Sequence, residues 1–316
     1  MALGSNHVTT TTADKFIPEI WSDEIIAAYK NKLVAANLFS KMSFVGKKGD
    51  TIHIPAPTRG AATIKAANTQ VTLQAATESE VIVTVNQHYE YSRVIEDIVE
   101  TQALSSLRKF YTEDAGYALA KRVDTSLIQL GRTFNGGSAG ARYNAAFIGG
   151  DGTTAFDYSA SEGAGNASAL TDAAIRRTIQ RLDDVDAPEE GRFIIVPPSA
   201  RNTMMGIARY TEQAFVGEVG GGNTIRNGQI GNVYGIPVYV SSNTDYLNAA
   251  ADGSGANIGR AVLIGHKDSA VFAEQQGVRS QTQYKQEYLG TLYTADTLYG
   301  VKELRDGTCF AIAVPS

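Results

Sequence analysis

The side chains able to do covalent or metal chemistry fall into four patterns, and each lacks something that its chemistry needs. Gly136, Gly137, Ser138, Ala139 and Gly140 spell G-x-S-x-G, the turn that presents a hydrolase serine. Such a serine works where a strand runs into the turn and a helix leaves it. Here a helical pattern precedes the motif and more glycine follows, which predicts a flexible turn. The four histidines are His7, His53, His88 and His266. His53 and His88 could face each other across a hairpin, but two ligands do not make a metal site. Asp183, Asp184, Asp186, Glu189 and Glu190 form an acidic run without the spaced ligands and glycine of a calcium loop, so a solvated helix end is expected. The single cysteine, Cys309, excludes an intrachain disulfide and a thiolate cluster; its apolar neighbours predict a buried thiol. Neither G-x-x-x-x-G-K-[ST] nor H-E-x-x-H occurs. No catalytic residue, metal ligand or cofactor is therefore assigned, and a soluble α+β hydrolase acting through Ser138 is the remote enzymatic alternative.

The elements around these residues predict an extended molecule. With 316 residues, 43% of them hydrophobic, the chain can bury a real core in one large domain or two ordinary ones. Twenty-eight basic against 33 acidic side chains leave a net charge of −5, and no basic tract suits a nucleic-acid reader. No stretch reaches the ~20 apolar residues of a membrane span. The polar opening lacks the apolar core of a signal peptide, so synthesis and use in the cytoplasm are expected.

Residues 1–15 read as a loose arm. Residues 16–46 have helical spacing: Pro18 starts the run, Trp21, Ile25, Ala28, Tyr29, Leu33, Val34, Leu38, Phe39 and Met42 form one face, and Gly46 ends it. From 47 to 91 the period changes to two, with Ile52 and Ile54, Val71 and Leu73, and Val81, Val83 and Val85 predicting strands. This long hairpin holds too few apolar residues to make its own core, so the rest of the chain or a neighbour must supply the surface it lies on. Ser92 is the expected N-cap of a helix carrying Ile95, Ile98 and Val99. A break is expected near Thr101, and Leu104 to Leu127 continue at helical spacing up to Gly131, roughly 40–45 Å from Gln102 to Leu130.

Residues 132–169 predict loops and short strands. Thr171 should cap the next helix, with Leu170 and Ile175 stapled across the cap and Ile175, Ile179 and Leu182 buried. A buried strand at 193–196 should end at Pro197 and Pro198, which open a helix through Met204 and Met205. A flexible loop at 217–229, a strand at 233–240 irregular at Gly235, Ile236 and Pro237, strands at 261–264 and 270–273, alternating aromatics over 278–294, and a last strand at 309–314 complete the chain.

Four of these stretches, taken in order, resemble the major capsid protein of tailed bacteriophages, with its Hong-Kong-97 capsid fold. They are GDTIHIPAPTRG (49–60), YSRVIEDIVETQALSSLRKFYTEDAGYALAKRVDTSLIQLG (91–131), GRFIIVPPSARNTMM (191–205) and GNVYGIPVYVSSN (231–243). The resemblance implies an α+β chain with an N-terminal arm (1–15), a helical part of a peripheral domain (16–46) and an extended β-hairpin loop (47–90). It further implies a spine helix (91–131), an axial domain (132–275), peripheral strands (276–300) and a C-terminal axial strand (301–316).

It also implies a structural function: pentamers and hexamers closing into an icosahedral shell around double-stranded DNA held without sequence specificity. Lys47, Lys48, Arg59, Lys65, Val71 and Leu73 become inter-subunit contact candidates. Tyr210, Glu218, Gly220, Gly221, Gly222 and Arg226 become candidates for the loop at the capsomer axis. Some relatives cross-link through a loop lysine, but nothing here marks the asparagine and acid that this needs. A separate scaffolding protein, a portal protein and a decoration protein are the implied partners, the virion capsid the implied location, and an encapsulin-like compartment the alternative with the same fold. The negative balance suits a shell that must enclose DNA without gripping it.

Overall fold

The computed structural model describes residues 33–46, 48–57, 60, 62–71, 73, 78–102, 107–134, 143, 147–156, 167–207, 210, 231–247 and 259–316. The arm, Trp21 and the first part of the expected N-terminal helix lie outside these.

A short helix α1 (Ala35–Leu38) leads into strand β1 (Ser40–Ser43). The hairpin follows as β2 (Thr51–Pro57) and β3 (Glu78–Thr84), then β4 (Gln87–Glu96), α2 (Asp97–Gln102) and the long α3 (Leu107–Gln129). Next come β5 (Ile148–Gly149), α4 (Asp172–Asp184), β6 (Arg192–Val196), α5 (Pro198–Met205), β7 (Asn232–Val233), β8 (Ile236–Val240) and β9 (Gly259–His266). The chain closes with β10 (Ala270–Lys285), β11 (Gly290–Glu303) and β12 (Cys309–Pro315).

The described strands form a six-stranded sheet in the order β5-β12-β9-β6-β8-β7, a four-stranded sheet β1-β10-β11-β4, and the β2-β3 pair. The six-stranded sheet is apolar on both faces, which is why its inner strands read as unbroken apolar runs. Phe193, Ile195, Ala261, Leu263, Cys309, Ala311 and Ala313 point to one face, against Leu127 and Ile128 of α3, Ala35 of α1, and Phe134, Tyr143, Phe147 and Phe156. Ile194, Val196, Val262, Ile264, Phe310, Ile312 and Val314 point to the other, against Ile175 and Leu182 of α4 and Ala200 and Met204 of α5. Strict alternation places successive residues of each strand on opposite faces.

The local signals around α4 and α5 act as their sequence predicts. Thr171 Oγ1 accepts the Ala174 amide at 3.3 Å, and Leu170 and Ile175 are both buried beside this cap. Pro198 opens α5, where its missing N–H costs nothing.

Several expectations are corrected. Helical spacing over 33–46 covers only the four residues of α1; Met42 lies in β1, which pairs in parallel with β10 from Ser40↔Val271 to Ser43↔Glu274. Ser92 caps no helix. It lies inside β4, opposite Thr294 of β11, and α2 begins five residues later. Residues 87–96 fit either period, and ten backbone pairs to β11 decide for the strand. Thr101 itself is helical, in α2, and residues 103–106, where a break near it would fall, lie outside the described residues. With 23 residues, α3 spans ~35 Å. At its end Gly131 lies in a 3-10 turn. A Cβ there would meet Leu263 and the Tyr143 hydroxyl at 2.8 Å, so glycine is needed for close packing of helix on sheet. The expected strand at 233–240 is a tight hairpin. Tyr234 and Gly235 turn it with φ of 52° and 80°, the type I′ geometry that suits twisted strands.

Candidate functional site

Three surfaces and two buried clusters that support them carry the chemistry of this chain. The first surface is the hairpin. Its base pairs from Thr51↔Thr84 to Pro57↔Glu78. Val83 is buried against Val271 and Ala273 of β10, with Ile52 and Ile54 partly buried there. Beyond the base that support ends. Residues 62–71 and 73 carry no strand pairing and are exposed, with Ile64 100%, Leu73 92% and Val71 64% accessible. Val71 and Leu73 were expected in a strand and are not in one; among the described residues none pairs with them. Three large aliphatics thus lie in water on a segment that buries none of them. Lys48, before β2, and Lys65 are exposed; Lys47 and Arg59 lie outside the described residues.

The second surface is the far end of the four-stranded sheet, where Tyr284, Tyr288 and Leu289 are exposed, with Val278 exposed further along β10. No candidate residue was placed there from sequence, although the alternating aromatics of 278–294 were its signal. Asp296 of β11 ties β10 to β4 where the β10 register shifts between Gln276 and Arg279. Its carboxylate accepts from Arg279 Nε (3.1 Å) and Nη2 (2.9 Å), from Gln276 Nε2 (2.8 Å), and lies 3.2 Å from His88 Nε2. The Arg279 hydrogen bonds outweigh burial and pull the Asp296 carboxyl down to about 2. His88 therefore does not face His53: His53 pairs across the hairpin with Ile82 and lies 2.9 Å from Glu80, while His88 is opposite Leu298. Among the described residues no three His, Cys, Asp or Glu side chains converge as metal ligands.

The third surface is the side of the six-stranded sheet from which residues 211–230 depart. Tyr210 is half-buried, and its hydroxyl donates to Asp172 Oδ1 at 2.6 Å. Burial and this carboxylate push the Tyr210 hydroxyl's pKa well up. Glu218, Gly220, Gly221, Gly222 and Arg226 lie outside the described residues, as does Ser138.

Two buried clusters set how α3 meets the rest. Asp124 sits on the buried side of α3, and its Oδ1 accepts the amides of Val34 (3.0 Å) and Ala35 (2.7 Å), capping α1 from a distance. Its Oδ2 accepts from Asn243 Nδ2 at 2.9 Å, which ties in the chain after β8. One turn past α3, Arg132 grips Asp245 with both Nε (2.6 Å) and Nη2 (2.8 Å), and Tyr143 donates to the same carboxylate at 3.2 Å. None of these carboxylates was singled out from sequence, because a lone Asp in a helix gives no hint of partners 90 and 119 residues away.

The remaining sequence candidates are structural. Cys309 is buried beneath Gly265, and burial raises its thiol far above the reactive range. The acidic run ends α4, but Asp183 is not merely solvated: buried Arg192 donates to it at 2.7 Å. No described helix is long and apolar enough to cross a membrane.

A model of the family described as "Phage capsid protein" matches residues 89–307, which is most of the chain. Solved structures of phages and phage capsids are similar at low identity. A chain from Mycobacterium phage Che8 is 22% identical with a TM-score of 0.71, covering 94% of this chain and 97% of its own. The capsid of cyanophage P-SCSP1u is 18% identical with a TM-score of 0.73, covering 99% and 96%. The mature capsid of bacteriophage PhiM1 is 14% identical with a TM-score of 0.69, covering 94% and 92%. No curated protein matches. The fold is the α+β Hong-Kong-97 capsid type. The chain belongs to the phage capsid protein family and is a structural protein of the virion capsid, forming an icosahedral shell.

Proposed function

We propose that this protein builds its shell from pentamers and hexamers, in which the 48–86 hairpin of one subunit lies across its neighbour. The observation that carries this is the set of exposed Ile64, Val71 and Leu73 on a segment with no support from its own chain. Covering them in the shell stabilises each joint by about 25 cal/mol per Å² of apolar area. Many such joints, each weak, let misplaced subunits leave and still hold the closed shell. Lys48, Lys65 and, beyond the described residues, Lys47 and Arg59 supply charge at this contact.

The six-stranded sheet with α4 and α5 forms the axial part, and residues 211–230, with Glu218, the three glycines and Arg226, approach the capsomer axis. The four-stranded sheet and α3 form the peripheral part. The role is assembly without turnover, and the net charge of −5 suits enclosed DNA that must not be gripped. A scaffolding protein, a portal protein and a decoration protein are the partners that such a shell calls for.

Electron microscopy and mass photometry of the purified protein test this. Closed particles or rings of five and six subunits are expected. A ~34 kDa monomer that persists when the scaffolding partner is added would overturn it. Co-purified cargo protein in place of DNA would point to an encapsulin-like compartment.

A further inference from the structure

Tyr234 is in an uncomfortable place. It occupies the first central position of the β7–β8 turn at φ 52°, where asparagine or glycine is favoured and a bulky side chain is strained. Burial does not hold it there, since half of the residue is exposed. What does hold it is its hydroxyl, which donates to Asp172 Oδ1 at 2.6 Å. Tyr210 donates to the same oxygen at 2.6 Å, and the two rings meet edge to face with centroids 6.4 Å apart.

Arg176, one turn along α4, donates to Asp172 Oδ2 at 2.9 Å. Asp172 is the first residue of α4, where the helix N-terminus favours a negative charge. Both contacts fall in the short range of charge-assisted O–H···O⁻ bonds. Burial opposes the charge on Asp172, but the hydrogen bonds from Tyr210, Tyr234 and Arg176 prevail and its carboxyl stays below the usual range. Tyr210 lies just before residues 211–230 and Tyr234 just after them. One carboxylate, on a helix packed against the sheet, therefore holds both stems of that segment.

We propose that Asp172 is a positioning residue for assembly: by clamping Tyr210 and Tyr234 it sets where the two stems leave the sheet, and so how subunits meet around the capsomer axis. This rests on the axial reading of 211–230 given above. It also accounts for the strained tyrosine, which a turn alone would not require.

The test uses the full chain and reads both the thermal midpoint of the subunit and the particles by electron microscopy. The double change Tyr210→Phe with Tyr234→Phe keeps both rings and removes both donors. It should lower the midpoint by a few degrees and convert uniform closed shells into particles of mixed size or open sheets. Thr171→Ala, which removes the N-cap of the same helix without touching either stem, is the control: a similar loss in midpoint with normal shells is expected.

Normal shells from the double phenylalanine variant would overturn the proposal. So would equal damage from Thr171→Ala, which would reduce the cluster to ordinary stability. Deleting Gly220, Gly221 and Gly222 tests the axial reading separately. Unchanged shells would remove that reading and the clamp's role with it. Altered shells beside normal phenylalanine-variant shells would remove the clamp alone.

Discussion

The six-stranded sheet and the 48–86 hairpin are both β structure, yet they use apolar side chains in opposite ways. In the sheet, 193–196, 261–264 and 309–314 are buried on both faces. In the hairpin, only the base is supported, and Ile64 and Leu73 are almost wholly in water. Apolar area lowers free energy only when it leaves water. The sheet therefore stabilises the subunit, whereas Ile64 and Leu73 add nothing to it; under the proposed function their gain comes when a neighbour covers them. A capsid subunit needs both: a body that folds alone, and surfaces that are satisfied only in the shell. The difference also separates two kinds of mutation, those that unfold the subunit and those that leave it folded but unable to assemble.

Phe193→Ala should show the largest effect on the subunit. The ring is buried and meets Phe39 edge to face at 5.1 Å, so its loss should cost about 3–5 kcal/mol in denaturant unfolding. Asp245→Asn should follow at roughly 3 kcal/mol, because it leaves the Arg132 guanidinium buried without its anion. Replacing both partners by apolar residues (Arg132→Met with Asp245→Leu) should recover part of that loss. If the double change costs more than the single one, the pair itself is net stabilising.

Asp296→Asn should cost about 1.5 kcal/mol near neutral pH, since three side chains donate to the carboxylate. Its folded pKa of about 2 lies below the usual ~3.9, so this contribution is present above ~pH 4 and disappears as pH falls through 2. Unfolding curves of the two proteins should therefore converge in acid; a constant gap would mean that the charge is not what matters.

Glu303→Gln should have the opposite sign. Burial raises the Glu303 carboxyl to about 7, and its Oε1 has no partner, so the ionised form disfavours the folded state. A gain on the order of 1 kcal/mol at pH 8 should fade as pH falls through 7 toward ~4.3.

Ile64→Ser with Leu73→Ser should change subunit stability least, within about 0.5 kcal/mol, because both side chains are almost wholly exposed and no described residue covers them. The same variant should raise the concentration needed for shell formation, measured by light scattering. An unfolding penalty above 1 kcal/mol would erase the distinction between sheet and hairpin.

Much of the fold was legible because its signals are local. The Thr171 cap, the Leu170–Ile175 staple, Pro198 at the start of α5 and the apolar runs of β6, β9 and β12 each act within a few residues. What misled was sequence that fits two periods. Residues 87–96 carry apolar and aromatic side chains that suit a helix face or a strand, and β11, some two hundred residues later, decided. The apolar 33–42 stretch was divided between a turn of helix and a strand by pairing with β10.

The exposed apolar surfaces were half legible. Val71 and Leu73 stood out because the hairpin cannot bury itself. The exposed end of the four-stranded sheet was passed over, since alternating aromatics read equally well as a covered strand.

The sequence by itself determined the succession α4, β6, α5, the helical nature of 107–129, and the presence of a hairpin too poor in apolar residues to stand alone. Caps, prolines and periodicity are properties of neighbouring residues, so they survive without a fold. Only the tertiary structure decided which strands are partners, which aspartates are anchors and which aliphatics stay in water. Asp124, Asp172, Asp245 and Asp296 look alike in the chain; each has its role from groups brought to it across long stretches of sequence. Burial and hydrogen bonding are set by what approaches from elsewhere, and spacing along the chain does not record that.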